Sequence, residues 1–398
     1  MKNFLKKLKR VKLRDLIQVW KLPMAVLPAV IYRRIHKDLW IICEDEMEAR
    51  DNGYWFFKYL RENHPRQECV YAINSRSVDY DKVRKLGRTV EYGSLMHWIL
   101  YLASTKKLSS QKAGNPNASV FYFLEVYGIL RDKRIFLQHG ITVSDLDWLY
   151  YGYTKMARFV CGAYPEYRFV EDRFGYPKGN VLYTGFCRFD HLHDYQRDPR
   201  LILIMPTWRE WIADEDQRLP VYEGTREIPK TNYFRQWSAF INDERLDELA
   251  REYGVHFVFY PHRNMQKYME YFPKGREAIS IVCSKDWDIQ ELLKRASLMV
   301  TDYSSVFFDF IYMKKPVVFF QFDYKHFRKR QYKEGYFNYK DNPFTDRATK
   351  AEDLFPLMKK YIENDYKVSD SYLQSHEEYF RLYDTNNCGR VYEAVKHV

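Results

Sequence analysis

Short apolar runs alternate with stretches of helical periodicity along most of the chain beyond residue 37. Apolar positions at helical spacing, as at 54–62 and 95–103, separate the runs of a first series. A second series begins near residue 201. The runs occupy 39–43, 69–73, 135–137, 158–161 and 181–184 in the first series, and 201–205, 255–260, 279–282, 298–301 and 317–320 in the second.

This alternation predicts the fold class. Short buried strands separated by helices are typical of parallel sheets covered by helices on both faces. Two series predict two Rossmann-like domains, 38–198 and 199–398, and the second includes the C-terminal helices. A final helix is predicted at 387–397, and either domain could provide the surface on which it packs. In such sheets ligands bind beyond the carboxyl ends of the strands, so polar residues directly after a predicted strand are the site candidates.

The segment 1–37 that precedes these domains has a different pattern. Residues 1–14 contain seven Lys or Arg and no acid, and apolar positions are interleaved with them. This spacing predicts an amphipathic helix that anionic lipid attracts. The apolar stretch at 22–31 contains two prolines and is shorter than the roughly 20 residues of a membrane span. We expect a membrane-surface segment, with a solvated basic arm and a signal peptide as alternatives.

Charge and cysteine content restrict the partners only broadly. The formal net charge of +11 favours polyanions, whether nucleic acid, anionic lipid or phosphorylated substrates. The six cysteines are scattered without a Cys-x-x-Cys pair, so neither a disulfide framework nor a zinc site is predicted. Reduced thiols in a cytosolic protein fit this pattern. An aromatic content of 18% fits a surface between an apolar phase and water, or an aromatic-rich core.

Two histidines follow predicted strands, one in each domain. His139, between Gln138 and Gly140, has an ordinary pKa near 6.5 and can accept a proton at neutral pH. Gly140 permits a tight turn or a close approach of the substrate. His262 repeats this placement in the second domain, and Arg263 beside it offers a permanent cation for phosphate. The alternative is a loop histidine bonded to its own backbone, but one such histidine per domain is harder to dismiss.

A run of hydroxyl residues forms a third candidate. Thr301, Ser304 and Ser305 lie between a predicted strand and a predicted helix. A serine that caps this helix would leave backbone N–H groups available to phosphate, although an ordinary cap without a ligand is the alternative. Asp309, one turn into the helix, either orients a hydroxyl or faces solvent.

Two further turns bring a basic residue to the end of a strand. Pro206 and Thr207 precede Arg209, and Arg188 lies in the turn at 185–190. A helix-starting turn and a salt bridge at a domain edge are the respective alternatives. The sequence has neither a Walker-type loop nor a Gly-x-Gly-x-x-Gly motif, and the Asp pair at 145 and 147 is read as a surface turn.

Taken in this order, the motifs resemble the CDP-glycerol glycerophosphotransferase family of teichoic acid primases and polymerases. The resemblance covers roughly 130–330. Three positions depart from the family pattern: Gln138 replaces an aromatic residue, Cys187 replaces proline, and Arg263 replaces proline. The matching residues are Gln-His-Gly at 138–140, Thr-Gly-Phe-Cys-Arg-Phe-Asp at 184–190, Pro-Thr-Trp-Arg at 206–209, Pro-His at 261–262, Thr-Asp-Tyr-Ser-Ser-Val-Phe-Phe-Asp at 301–309 and Lys-Lys-Pro-Val at 314–317.

The resemblance implies a glycosyltransferase-B-like (GT-B-like) fold with the active site in a cleft between the two domains. It implies that the second domain holds the CDP group, that the first faces the acceptor, and that neither a catalytic metal nor a cofactor is bound. It also implies a reaction in which an acceptor hydroxyl attacks the phosphorus that carries glycerol, and CMP leaves. His139 and His262 are the expected catalytic residues. The expected donor-binding residues are Gly140, Arg188, Pro206, Thr207, Arg263, Thr301, Ser304, Ser305 and Asp309.

The expected partners are CDP-glycerol or CDP-ribitol, an undecaprenyl-linked saccharide and an anionic membrane surface, with no nucleic acid. The expected location is the cytoplasmic face of the cell membrane, as a peripheral protein. Two domains and little else favour a primase or a short-chain synthase. A ribitol transferase or a capsule polymer synthase would share these motifs. A nucleotide-sugar glycosyltransferase would normally have a glycine-rich loop, and a basic binding protein without catalysis would leave both histidines unexplained.

Overall fold

The computed structural model describes residues 16–112, 114–130, 133–213, 228–272 and 275–398. The chain divides into two compact units. The first comprises the chain up to residue 139, 147–190 and 384–398, and the second comprises 140–146 and 191–383. The predicted basic helix at 1–14 lies outside the described residues.

Fifteen strands are present in the described part of the chain. They are β1 (Trp40–Cys43), β2 (Cys69–Ile73), β3 (Thr89–Glu91), β4 (Lys106–Ser109), β5 (Lys133–Phe136), β6 (Ser144–Asp145), β7 (Arg158–Cys161), β8 (Val181–Tyr183), β9 (Leu201–Met205), β10 (His256–Phe259), β11 (Ile279–Ile281), β12 (Leu298–Thr301), β13 (Val317–Phe320), β14 (Lys333–Glu334) and β15 (Thr345–Ala348).

The α-helices of the same residues lie mostly between these strands, and short 3₁₀ helices occur at Asp147–Leu149, Cys187–His191, Ile228–Lys230, Met269–Tyr271 and Ala351–Asp353. The α-helices are α1 (Lys21–Ile35), α2 (Asn52–Asn63), α3 (Tyr80–Leu86), α4 (Leu95–Ala103), α5 (Ala118–Val126), α6 (Tyr151–Thr154), α7 (Tyr164–Arg173), α8 (Glu210–Ala213), α9 (Asn232–Ile241), α10 (Arg245–Tyr253), α11 (Arg263–Gln266), α12 (Ile289–Arg295), α13 (Phe307–Tyr312), α14 (Tyr324–Arg330), α15 (Leu354–Glu363), α16 (Asp370–Tyr379) and α17 (Asn387–Lys396).

Each unit contains one parallel sheet, and the two sheets share a strand order. Within the described residues the first sheet has seven strands in the order β3-β2-β1-β4-β5-β7-β8, and the second has six in the order β11-β10-β9-β12-β13-β15. The first five strands of each unit's sheet thus follow the Rossmann order 3-2-1-4-5. The central strands β1 and β9 are buried along their whole length, as helices on both faces require.

Strand β4 lacks the apolar run that marks its neighbours, because two of its four residues are lysines. Lys106 and Lys107 are nevertheless buried. The ammonium group of Lys106 lies 4.8 Å from the centroid of the Trp40 ring, and that of Lys107 lies 4.3 Å from the Tyr101 ring. These cation–π contacts allow charged side chains to occupy positions that periodicity assigns to apolar ones.

The boundaries of the units differ from the predicted division at 198 and 199. Helix α17, which lies within the predicted range 199–398 but which the sequence leaves open to either domain, belongs to the first unit, where its first residues bind Asp190. The backbone N–H groups of Asn387 and Cys388 donate to the Asp190 carboxylate at 2.7 and 2.8 Å. Residues 140–146 belong to the second unit, where β6 pairs antiparallel with β14.

Helix α1 forms the described part of the predicted N-terminal segment. Ala25 and Ala29 are buried on one side of this helix, which packs against α4. Pro28 lies inside α1, where the sequence alone suggested an interruption. None of the helices in the described ranges combines the length and the apolar character needed to cross a bilayer.

Candidate active site

Three turns of the second unit lie at the carboxyl ends of neighbouring parallel strands. Strand β9 has β10 on one side and β12 on the other, so the residues that follow these strands share one edge of the sheet. The N–H of His262, after β10, donates to the Pro206 carbonyl, after β9, at 3.3 Å. The ring of Trp208 is stacked against His262 with 6.1 Å between centroids. The predicted turns that follow β9 and β10 are therefore in direct contact.

A fully buried arginine joins the turns after β9, β12 and β13. Arg209 donates to Asp302 at 2.7 Å and to Asp323 at 2.8 Å. The Asp302 carboxylate also accepts the N–H of Thr207 at 2.7 Å, and the Tyr303 hydroxyl donates to Asp323 at 3.0 Å. We call Arg209, Asp302 and Asp323 the buried triad. Each member has its partners in the triad or in the adjacent turns, which fixes the three strand ends relative to one another.

Two opposing effects set the pKa values in the buried triad: burial disfavours each charged form, and the opposite charges of the partners stabilise it. Burial raises the pKa of Asp302, while the charge of Arg209 and the hydrogen bonds from Thr207 oppose the increase. Burial also disfavours the Arg209 cation, but the two carboxylates outweigh burial and raise its pKa. The guanidinium is therefore a permanent charge in this interior. The sequence indicated Arg209 and Asp302 only as members of motifs and gave no sign of Asp323, because the roles of all three depend on residues distant in sequence.

The hydroxyl run does not have the arrangement that the sequence predicts. Thr301 is fully buried and donates to the Met205 carbonyl at 2.6 Å, so its hydroxyl bridges two strands. Helix α13 begins at Phe307, and its N-cap is Val306 without a side-chain cap. The predicted serine cap is therefore wrong. The Ser304 hydroxyl instead accepts the N–H of Val306 at 3.4 Å, in a tight turn before the helix.

Of the predicted residues on this run, Ser305 lies against Gly140. A Cβ atom built on Gly140 would lie 2.5 Å from the Ser305 hydroxyl oxygen, so only glycine fits without a shift. This close approach is to a neighbouring turn, and the close substrate approach predicted for Gly140 stays a prediction. Asp309 is buried within α13, and Arg263 is exposed at the start of the short helix α11.

Arg328 on α14 is a candidate that sequence analysis missed. Its Nη1 donates to Ser144 and to the Lys333 carbonyl, both at 3.3 Å. Its Nε and Nη2 atoms are buried and have no hydrogen-bond partner among the described residues. The guanidinium packs instead on aromatic rings, since its carbon lies 4.9 Å from the centroid of the Tyr339 ring and 5.6 Å from that of Tyr324. The basic run at 325–330 gave no such signal, because a row of charges on a short helix usually faces solvent.

His139 is exposed in the first unit, after β5 and a strained residue. Gln138 has a φ of 61°, in the left-handed region that residues other than glycine seldom adopt. Its side-chain amide donates to the Val160 carbonyl at 2.9 Å and to Glu166 at 2.8 Å. Strain of this kind persists where surrounding contacts determine it, and such residues cluster at functional sites.

Arg188 lies beneath the surface of the same unit. Its side chain is 2% exposed and donates to Asp51 at 2.9 Å. The N–H of Arg188 donates to the Asn52 side chain at 3.0 Å, and the Asn52 amide donates to the Gln138 carbonyl at 2.6 Å. The structure thus joins the predicted His139 and Arg188 turns through Asn52, which the sequence did not single out.

The fold and these strand-end turns place the chain among two-domain GT-B-like proteins. The family model described as CDP-Glycerol:Poly(glycerophosphate) glycerophosphotransferase matches residues 29–397, and the chain belongs to that family. The family resemblance and the predicted α/β fold class are both confirmed.

The chain is similar to curated proteins that are longer than itself. It is 32% identical over 389 residues to the minor teichoic acid biosynthesis protein GgaB of Bacillus subtilis (strain 168), covering 93% of this chain and 42% of GgaB. It is 23% identical to the teichoic acid poly(glycerol phosphate) polymerase of the same organism, covering 85% of this chain and 46% of the polymerase. The chain thus spans less than half the length of these relatives.

Solved structures share the fold at low sequence identity. The wall teichoic acid polymerase TagF, solved after a soak with CDPG, has a TM-score of 0.63 at 14% identity, covering 97% of this chain and 99% of that one. The UDP-GlcNAc 2-epimerase of Methanocaldococcus jannaschii, in complex with UDP-GlcNAc and UDP, has a TM-score of 0.54 at 10% identity, covering 91% and 100%. At these identities the likeness concerns the fold alone.

Proposed function

We propose that this chain transfers glycerol phosphate from CDP-glycerol to a lipid-linked saccharide or a growing polymer, with release of CMP, in the synthesis of teichoic acid or a related cell-surface polymer. The observation that carries the proposal is the set of turns on one sheet edge of the second unit, where the buried triad fixes three strand ends. The family membership and the likeness to GgaB support it.

The proposed reaction is a single displacement at phosphorus. An acceptor hydroxyl oxygen forms a bond to the phosphorus that carries glycerol, and the bond from this phosphorus to the bridging oxygen breaks. CMP leaves with that oxygen. His139 accepts the proton of the attacking hydroxyl, which an imidazole can do near neutral pH.

The donor diphosphate is proposed to bind in the second unit. Arg328, half-buried on the helix that follows β13, and Arg263 are proposed to supply cations, and His262 and Ser305 to add polar groups. Cations and fixed donors stabilise charge that develops on phosphoryl oxygens. Thr301 and Arg188 are assigned supporting roles instead of the predicted contacts with the donor, because both are buried and already bonded.

An anionic membrane surface is the proposed location, on its cytoplasmic face, where a lipid-linked acceptor would be available. Side chains at spacings of three and four residues form an exposed apolar row on α1 and the residue before it, on the side opposite Ala25 and Ala29. The basic residues of 1–14 precede this row in sequence and would complement anionic headgroups. We define the apolar row as Trp20, Met24, Leu27, Ile31 and Ile35.

The test of the function is CMP release from CDP-glycerol and from CDP-ribitol, with a lipid-linked disaccharide as acceptor. We expect acceptor-dependent release from one donor by the wild type, and its loss in His139→Ala and His262→Ala. His256→Ala is the matched control, because His256 is exposed at the opposite end of β10. Release from neither donor would overturn the proposal, and equal loss in the control would overturn the assigned roles of the histidines.

CDP-ribitol is the second candidate donor. The chain is 31% identical over 214 residues to the teichoic acid poly(ribitol-phosphate) polymerase of Bacillus spizizenii (strain ATCC 23059 / NRRL B-14472 / W23), covering 50% of this chain and 31% of that polymerase. CMP release from CDP-ribitol alone would select ribitol phosphate as the transferred group.

A further inference from the structure

We infer that Asn52 is a positioning residue that holds the turn of His139 and the turn of Arg188 in one fixed arrangement. Asn52 is the first residue of α2 and is fully buried. The inference rests on the proposed function for the role of His139, whereas the positioning itself rests on the contacts described below.

The side chain of Asn52 uses both kinds of polar atom at once. Its Nδ2 donates to the Gln138 carbonyl at 2.6 Å and to the Leu137 carbonyl at 3.2 Å. Its Oδ1 accepts the N–H of Arg188 at 3.0 Å. An amide offers two donors and an acceptor, a combination that neither a carboxylate nor an aliphatic side chain of this size provides. Asparagine therefore suits a position where two carbonyls and one N–H converge.

The contact with Gln138 acts on the backbone from which His139 projects. The carbonyl that Asn52 binds belongs to the peptide bond between Gln138 and His139, and this bond is planar. Fixing the oxygen therefore fixes the plane that contains the His139 nitrogen. Gln138 itself is in the left-handed region, so the turn needs outside contacts to keep its conformation.

Asn52 is itself held in place by the contacts of its neighbours at the start of α2. The buried carboxylate of Glu44 accepts the N–H of Asp51 at 3.1 Å and that of Tyr54 at 2.6 Å. The N–H of Gly53 donates to the Ser110 hydroxyl at 2.8 Å. Residues on both sides of Asn52 are thus bonded to other elements of the first unit, so the amide has a rigid base.

Arg188 receives a second contact from the same place. Its guanidinium donates to Asp51 at 2.9 Å, while its backbone N–H donates to Asn52. Two consecutive residues at the start of α2 therefore hold the backbone and the side chain of Arg188. Asn52 is a positioning residue and not a catalytic one, because it is buried and acts through the turns that it binds.

The experiment compares Asn52→Ala with Asn63→Ala. Asn63 is the last residue of the same helix, and its exposed amide donates to the Tyr59 carbonyl at 3.1 Å, away from both turns. Hydrogen exchange of peptides that cover 137–140 and 185–190 measures positioning. The turnover number and the KM for CDP-glycerol, obtained from CMP release, measure its consequence for the reaction.

We expect Asn52→Ala to accelerate exchange in both turns at least tenfold and to lower the turnover number at least tenfold, with the donor KM within about twofold of wild type. Asn63→Ala should change neither. If Asn52→Ala yields no folded protein, Asn52→Ser, which is too short to reach both turns, takes its place with the same expectations.

The two readouts separate the possible failures. Unchanged exchange in the folded Asn52 variants would overturn the inference, whatever the activity. Faster exchange with an unchanged turnover number would also overturn it, because the turns would then not need Asn52 for the reaction. A wild type without CMP release would overturn the proposed function, and hydrogen exchange would still decide whether Asn52 positions the turns.

Discussion

At the scale of the residue, Arg328 is the cation proposed for the donor that the sequence did not indicate. Hydrogen bonds to charged groups contribute about 1.5–3 kcal/mol each, so the loss of one donor to a diphosphate raises KM about tenfold or more. We therefore expect Arg328→Gln to raise the KM for CDP-glycerol at least about tenfold in initial-rate assays. Lys329→Gln, at an exposed neighbouring position on α14, is the control. Equal KM values for both variants would remove Arg328 from the donor site.

The roles of several individual residues could not be predicted from the sequence. The sequence indicates both histidines because each follows an apolar strand, and Gly140 because glycine permits close approach of a substrate, whereas the close contact of Gly140 in the structure is with Ser305. Asn52 gave no signal and Asp302 only membership of a motif, since their partners lie 86 and 93 residues away in sequence. Thr301 was read as a ligand-binding hydroxyl, but at the end of a buried strand its hydroxyl bonds the neighbouring carbonyl instead.

At the scale of the element, the buried triad makes three strand ends into one rigid edge. Removing Arg209 leaves two buried carboxylates without their cation, and breaking a buried pair in this way typically costs about 3–5 kcal/mol. We expect Arg209→Met to lower the free energy of unfolding of the second unit by about that amount in denaturant titrations. Arg245→Met removes a half-exposed pair with Asp243 and should cost about 0–1 kcal/mol.

Similar losses of unfolding free energy in Arg209→Met and Arg245→Met would contradict the stabilising role of the buried triad. A second readout separates stability from geometry. In folded Arg209→Met, the turns after β9 and β12 lose their common anchor, so the KM for CDP-glycerol should also rise, whereas Arg245→Met should leave it unchanged.

At the scale of the whole molecule, periodicity predicted most of the architecture. Strands with apolar runs were located, and their alternation with helices predicted two Rossmann-like units. Strand β4 was missed because aromatic rings accommodate its lysines. The placement of α17 in the first unit depends on Asp190, which no local pattern reveals. The serine cap was predicted because the hydroxyl residues lie between a strand and a helix, but the helix begins two residues beyond Ser305.

Membrane attachment belongs to this scale. We expect the double substitution Leu27→Glu and Ile31→Glu to reduce flotation of the protein with phosphatidylglycerol vesicles. Burying each apolar side chain in the membrane contributes about 1.5–3 kcal/mol to binding, and the glutamates that replace them are repelled by anionic lipid. Val78→Glu, at an exposed valine outside the apolar row, should float as the wild type does. Wild-type protein that floats equally with phosphatidylcholine vesicles, or not at all, would contradict an anionic membrane partner.

Product analysis decides whether the chain transfers glycerol phosphate. The measurement is mass spectrometry of a lipid-linked disaccharide after incubation with CDP-glycerol, together with quantification of CMP. We expect an acceptor that has gained glycerol phosphate units equal in number to the CMP released, and neither product with His139→Ala. An unmodified acceptor in the presence of folded wild-type protein and donor would contradict this expectation.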